Sequence, residues 1–93
     1  MTLSDRALKD ALREADELHQ AGRLAEAARI YEAILKDQPR QFDALFLLGW
    51  VRLRSGQAME AEQVLAQAAV LDAASVDALS LRANALQRLA LLA

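Results

Sequence analysis

The sequence predicts an all-α protein made of short antiparallel helices, and three observations carry that expectation. Alanine and leucine supply 39 of the 93 residues, and both are strong helix formers. Residues that favour strands are scarce, with four Val and two Ile, so a sheet has little to be built from. Turn signals also recur at a fixed interval: Gly22 and Gly56 stand 34 residues apart, and each closes a stretch of helical periodicity.

The first helix has a defined start. Ser4 is placed to cap it, Asp5 sits at the positive end of the helix dipole, and Leu3 and Leu8 stand where a hydrophobic staple packs. Leu8, Ala11, Leu12, Ala15 and Leu18 then recur at helical spacing up to Gly22. A second stripe follows, Leu24, Ala27, Ala28, Tyr31, Ile34 and Leu35, and Pro39 ends it because its ring clashes with helical backbone and it lacks an N–H. So short a link makes the two helices antiparallel neighbours. A third helix is expected over 41–55, a fourth over 58–72 closed by Asp72-Ala73-Ala74-Ser75, and a fifth from Ser75 onwards.

A shift of 34 residues superimposes these elements. Gly22 falls on Gly56, Glu26 on Glu60, Ala27 on Ala61, Ile30 on Val64 and Arg54 on Arg88; Asp43-Ala44-Leu45-Phe46-Leu47 falls on Asp77-Ala78-Leu79-Ser80-Leu81. A helix–turn–helix unit of this period resembles the tetratricopeptide repeat family. Ala15, Gly22, Ala27, Tyr31 and Pro39 carry the likeness in a first unit (8–41), and Leu45, Leu48, Gly49, Gly56, Ala61, Leu65 and Ala68 in a second (42–75). Leu79, Ala83 and Leu86 carry it in a partial third unit or capping helix (76–93). The resemblance implies one domain over 1–93, its hairpins stacked as a short right-handed superhelix, and protein–protein interaction as the class of function. Small residues at Ala15, Gly49, Ala27 and Ala61 are expected to let helix axes approach, with Tyr31 and Leu65 filling the space between hairpins. Four positions depart from the pattern: Glu14 and Arg82 stand where Leu48 stands in the second unit, Arg52 replaces an aromatic residue, and Ala73 replaces a proline.

Composition excludes several classes. Eleven basic and thirteen acidic residues alternate along the chain, leaving no basic patch for nucleic acid. Without cysteine there is no disulfide, thiolate metal site or thiol nucleophile. Arg52 and Arg54 interrupt the longest apolar run, which falls short of the roughly 20 residues that span a bilayer, and the N-terminus lacks a signal pattern. A cytoplasmic protein, not bound to membrane, is the expectation. His19 is the single histidine, with no second His or Cys to complete a metal or catalytic set, and reads as a surface residue near a helix C-terminus. The carboxylates of Asp16-Glu17 and Glu60-x-Glu62 diverge on a helix surface, and three isolated glycines form no phosphate cradle. No catalytic, cofactor or metal residue is therefore assigned, and the chain is not expected to be an enzyme.

The third helix is the informative one. Leu45-Phe-Leu-Leu-Gly-Trp-Val-Arg-Leu53 is apolar on every side except at Arg52, and such a helix requires burial all round. Leu45, Leu48 and Gly49 serve the stack, leaving Phe46, Trp50 and Leu53 as a surplus stripe. By the resemblance this stripe faces the concave side, as a partner-binding groove with Leu12 and Asp16 one repeat earlier; the alternative is that Phe46 and Trp50 are ordinary core. A family subset grips C-terminal carboxylates with basic and Asn residues, but Leu12, Asp16, Leu47, Asp77 and Leu81 hold those positions here. With Asp16, Asp43 and Asp77 nearby, the groove favours an apolar peptide or amphipathic helix carrying positive charge.

The leading expectation is thus a scaffold or adaptor module. Alternatives are a self-assembling structural unit, the repeat segment of a larger enzyme, and a small secretion chaperone, since Leu48-Gly-Trp-Val-Arg-Leu53 is similar to a stretch of short tetratricopeptide chaperones of bacterial type III secretion. In the fifth helix Ala90 replaces the Gly that ends the earlier helices, and leucines crowd the segment. A solenoid needs a polar outer face where stacking stops, so either a following helix or a second copy is expected to cover this one; the 93-residue chain is expected to self-associate, most simply as a dimer, through Leu86, Leu89 or Leu92.

Overall fold

Ser4 begins the first helix as its position suggests: its Oγ accepts a hydrogen bond from the Ala7 N–H at 3.1 Å. The computed structural model describes residues 2–92. Among them are five helices and no strand: α1 (Asp5–Gln20), α2 (Leu24–Asp37), α3 (Phe42–Arg54), α4 (Ala58–Leu71) and α5 (Val76–Leu92). Each packs against its neighbours in sequence, and α3 also touches α5. The arrangement is the all-α, tetratricopeptide-like solenoid that the repeat predicts.

The turns repeat as the sequence does. Gly22 and Gly56 adopt φ of 81° and 77°, a left-handed backbone that only glycine takes without strain. At both, paired bonds close the helix end: Arg23 N–H to the Leu18 carbonyl and Gly22 N–H to His19, then Gln57 N–H to Arg52 and Gly56 N–H to Leu53. This is the Schellman arrangement, which satisfies carbonyls the helix leaves free. Two repeat-related arginines add to it. Arg54 Nη1 donates to the His19 carbonyl at 3.0 Å, and Arg88 Nη1 to the Leu53 carbonyl at 2.7 Å. The starts of α3 and α5 match as well, Gln41 Oε1 accepting from Ala44 N–H and Ser75 Oγ from Ala78 N–H.

The core runs through the stack in three overlapping clusters. Ala15, Ala27, Tyr31, Ile34, Ala44, Leu48 and Val51 join α1, α2 and α3. Leu53, Ala58, Ala61, Leu65 and Ala85 join α3, α4 and α5, and Leu45, Ala68 and Ala78 complete the same layer. Leu3 and Leu8 both pack on the first cluster, and the Leu3 N–H reaches Asp37 Oδ2 at 2.9 Å, tying the start of the chain to the end of α2.

Three departures from the repeat pattern have structural reasons. Glu14 is exposed because among the described residues no helix packs outside α1. Arg82 is balanced across the hairpin: its Nε donates to Glu62 Oε1 at 2.9 Å. One repeat earlier the same two positions are held by Leu48 and Ala28, both in the apolar core. An ion pair has replaced an apolar pair. Arg52, which stands for an aromatic residue, pairs with Glu32 and donates to Gln57 Oε1.

Candidate partner-binding groove

Phe42, Phe46 and Trp50 stand one turn apart on α3 and so share a face. Phe42 and Phe46 stack with ring centroids 6.1 Å apart, and Phe46 meets Trp50 edge-on at 6.3 Å. Trp50 is itself met edge-on by His19 of α1 at 5.0 Å. Such offset and T-shaped contacts favour the aromatic quadrupoles and hold the rings in fixed orientations. Trp50 nevertheless remains 43 % exposed. It faces α5 across an apolar cavity of about 300 Å³, lined by Phe46, Trp50, Leu81, Ser80 and Asp77. Large aromatic side chains are thus half-wet on the wall of a groove, with one carboxylate opposite.

The sequence-predicted residues divide. Phe46 and Trp50 line the cavity. Leu12 is half-buried against the first core cluster, and Asp16 is half-buried with its carboxylate accepting from Gln20 Nε2 at 2.9 Å; neither is among the cavity's lining residues. Leu53 is a correction: it is 4 % exposed and belongs to the core with Ala58, Leu65 and Ala85. The reason is the crossing of α5 over the lower end of α3, where Arg88 reaches the Leu53 carbonyl. Asp77 does line the cavity, whereas Asp43 is exposed in the first turn of α3 and does not.

His19 is a second correction. It is buried, 3 % exposed, not a surface residue. Trp50 covers its ring, and Arg54 draws its carbonyl end beneath the second hairpin. Burial lowers the imidazole pKa below its ordinary value, and the nearby Arg54 charge lowers it further, while Asp16 opposes them. These effects favour the neutral ring, and its Nε2 has no hydrogen-bond partner among the described residues. Tyr31 is also buried with an unpartnered hydroxyl; burial, reinforced by the Asp16 charge, pushes its pKa up to about 12. Phe42 and His19 do not line the cavity, but they are the ring contacts of Phe46 and Trp50 that helical spacing alone missed. The one available signal was Phe42, exactly one turn before Phe46 in the same stripe.

The three leucines expected to mediate self-association differ in burial. Leu86 is 47 % exposed on the outer side of α5, Leu89 is turned inward onto the core, and Leu92 is 80 % exposed at the end of the helix. No group of acidic, His or Cys residues among those described could hold a metal ion. Among the described residues no helix is long and apolar enough to cross a membrane.

A comparison with curated protein sequences found no match. The family profile of the tetratricopeptide repeat, in contrast, matches residues 18–85, from the end of α1 through most of α5. That span contains both glycine turns, the hairpin partners Gly49 and Leu65, and the aromatic wall of the groove. The chain belongs to the tetratricopeptide repeat family, whose repeats mediate contacts between proteins.

Proposed function

We propose that the groove between α3 and α5 receives a segment of another protein, a peptide or amphipathic helix that presents apolar side chains flanked by basic ones. The observation carrying this reading is Trp50, held by Phe46 and His19 yet 43 % exposed beside the cavity. Tryptophan is prominent among interface hot spots, because a large rigid ring buries much area at little entropic cost. Apolar walls select apolar side chains, and Asp77 at the rim favours a positive neighbour on the incoming segment. The groove offers aromatic and hydrocarbon surface to grip a chain rather than groups poised to transform one. In this reading the protein is a non-enzymatic adaptor module working in the cytoplasm.

Trp50 is the single tryptophan, so its fluorescence reports on the groove alone. A random-peptide library selected against the 93-residue chain should yield apolar sequences containing Lys or Arg. Titrating a synthetic version should shift Trp50 emission saturably. Selected peptides that are acidic, or that bind without altering Trp50 emission, would place recognition elsewhere and overturn the reading.

A further inference from the structure

Helix α5 carries a second apolar surface, on the side away from the core. Val76, Leu79, Ala83, Leu86 and Ala90 recur at intervals of three and four residues and all are exposed, Val76 to 72 %, Leu79 to 45 % and Leu86 to 47 %. The repeat shows what this side is for. One repeat earlier, Leu45 and Gly49 occupy the places of Leu79 and Ala83, and there α4 covers them: Leu45 lies in the core with Ala68, and Gly49 stands against Leu65. Among the described residues nothing covers the α5 stripe.

The opposite end of the stack is built differently. The α3 residues that join the first cluster, Ala44, Leu47, Leu48 and Val51, correspond on α1 to Asp10, Arg13, Glu14 and Glu17, all exposed. The outward side of α1 is therefore charged, and laying it on an apolar stripe would strip water from four charges, of which only Asp10 and Arg13 are paired with each other. Head-to-tail stacking of copies through α1 is disfavoured on that ground.

The stripe suits a copy of itself. Val76 and Ala90 lie seven residues before and after Ala83, and Leu79 and Leu86 lie four before and three after. In an antiparallel crossing at Ala83, the small residue lets the two axes approach while Leu79 of one helix meets Leu86 of the other. Of the residues beside the stripe, Ser80 and Gln87 carry no charge and Arg82 is paired with Glu62, so the face sets no unbalanced charge against its own copy. We infer that α5 joins two copies of this chain, stripe against stripe about a two-fold axis, as an isologous contact that closes at the dimer. None of the stripe's own residues lines the cavity, although Ser80 borders both, so the inference rests on residues other than those of the groove.

Sedimentation equilibrium of the chain should show a monomer–dimer equilibrium at micromolar concentration with no larger species. Leu86→Glu, present twice in a two-fold contact, should weaken it by roughly 100-fold or more, and Leu79→Lys should do the same, both with an unchanged helical spectrum. Leu91→Glu, also exposed but off the stripe, should leave it intact. The chain has no cysteine, so Ala83→Cys gives a direct geometric reading: mild oxidation should link two copies at the crossing point, while Arg13→Cys should not. A monomer at all concentrations, association that survives Leu86→Glu and Leu79→Lys, or a ladder of larger species would each overturn the proposal.

Discussion

A Cβ built on Gly49 would lie 2.5 Å from Cγ and Cδ2 of Leu65, a side chain with no exposed surface and no room to turn away. Two effects compete at this position. Alanine in a helix interior gains about 1 kcal/mol over glycine, whereas forcing a methyl into a packed core costs about 1–3 kcal/mol. With two Leu65 atoms inside any permitted contact distance, the clash wins, and Gly49→Ala should destabilise by up to about 2 kcal/mol. That corresponds to a fall of several degrees in melting temperature; an unchanged or raised melting temperature would show that the hairpin is looser than described. His19 supplies a second residue-scale test. Its folded pKa is lowered from 6.5, so below that pH the unfolded chain takes up a proton that the folded chain refuses. Its contribution is therefore fully present above about pH 6.5 and is lost as pH falls through that value towards the lowered folded pKa. Urea midpoints should decline between about pH 7 and pH 5.5, above the carboxylate range, and the decline should flatten in His19→Leu. Equal slopes would mean the imidazole is open to water. Residue patterns concealed this burial because the atoms that cover His19, from Trp50 and Arg54, come from the next repeat.

At the scale of elements, the boundaries of all five helices were legible. Each is set by local chemistry: a capping Ser4 or Ser75, glycines at positive φ, a proline that halts α2. What one helix could not reveal was which of its apolar stripes another helix covers. Phe46, Trp50 and Leu53 share a side of α3 by spacing, yet α5 closes over Leu53 beside Ala85 and leaves Trp50 partly exposed across a cavity. The same limit applies to α5, where Leu86 and Leu89 are neighbours one turn apart, yet only Leu89 packs onto the core. Pairing between elements also accounts for Arg82. A partly buried ion pair is worth little by itself, but its charges are costly when left alone. Arg82→Leu alone leaves Glu62 half-buried without its partner, and Glu62→Ala alone strands Arg82. The double variant restores the apolar pairing of Leu48 and Ala28 one repeat earlier. Each single change should therefore lower stability and the double change should recover most of the loss, as read by chemical denaturation in a double-mutant cycle. Strictly additive losses would show that the two side chains do not interact.

For the whole molecule, the repeat separates two tasks. The inner seams, where Ala, Gly and Leu interlock, hold the stack together. The surplus apolar surface lies outside those seams, on the groove side of α3 and the outer side of α5. Family and fold follow from the 34-residue period, because each turn and capping device recurs with it. The groove is less legible, since Leu12, Phe46 and Ser80 occupy one repeat position yet differ in size and polarity. Only packing shows that Trp50 stays 43 % exposed, and that Phe46 lines the cavity while the equally half-buried Leu12 does not. The claim that Trp50 serves recognition rather than folding is tested most directly by Trp50→Ala, with melting and binding of a selected peptide measured on the same sample. A ring already 43 % exposed should cost about 1–2 kcal/mol in stability, leaving a cooperatively folded helical chain, while peptide affinity falls by roughly 30-fold or more. A loss of about 3–5 kcal/mol, the cost of deleting a core aromatic, or peptide affinity equal to the parent chain's, would contradict the account.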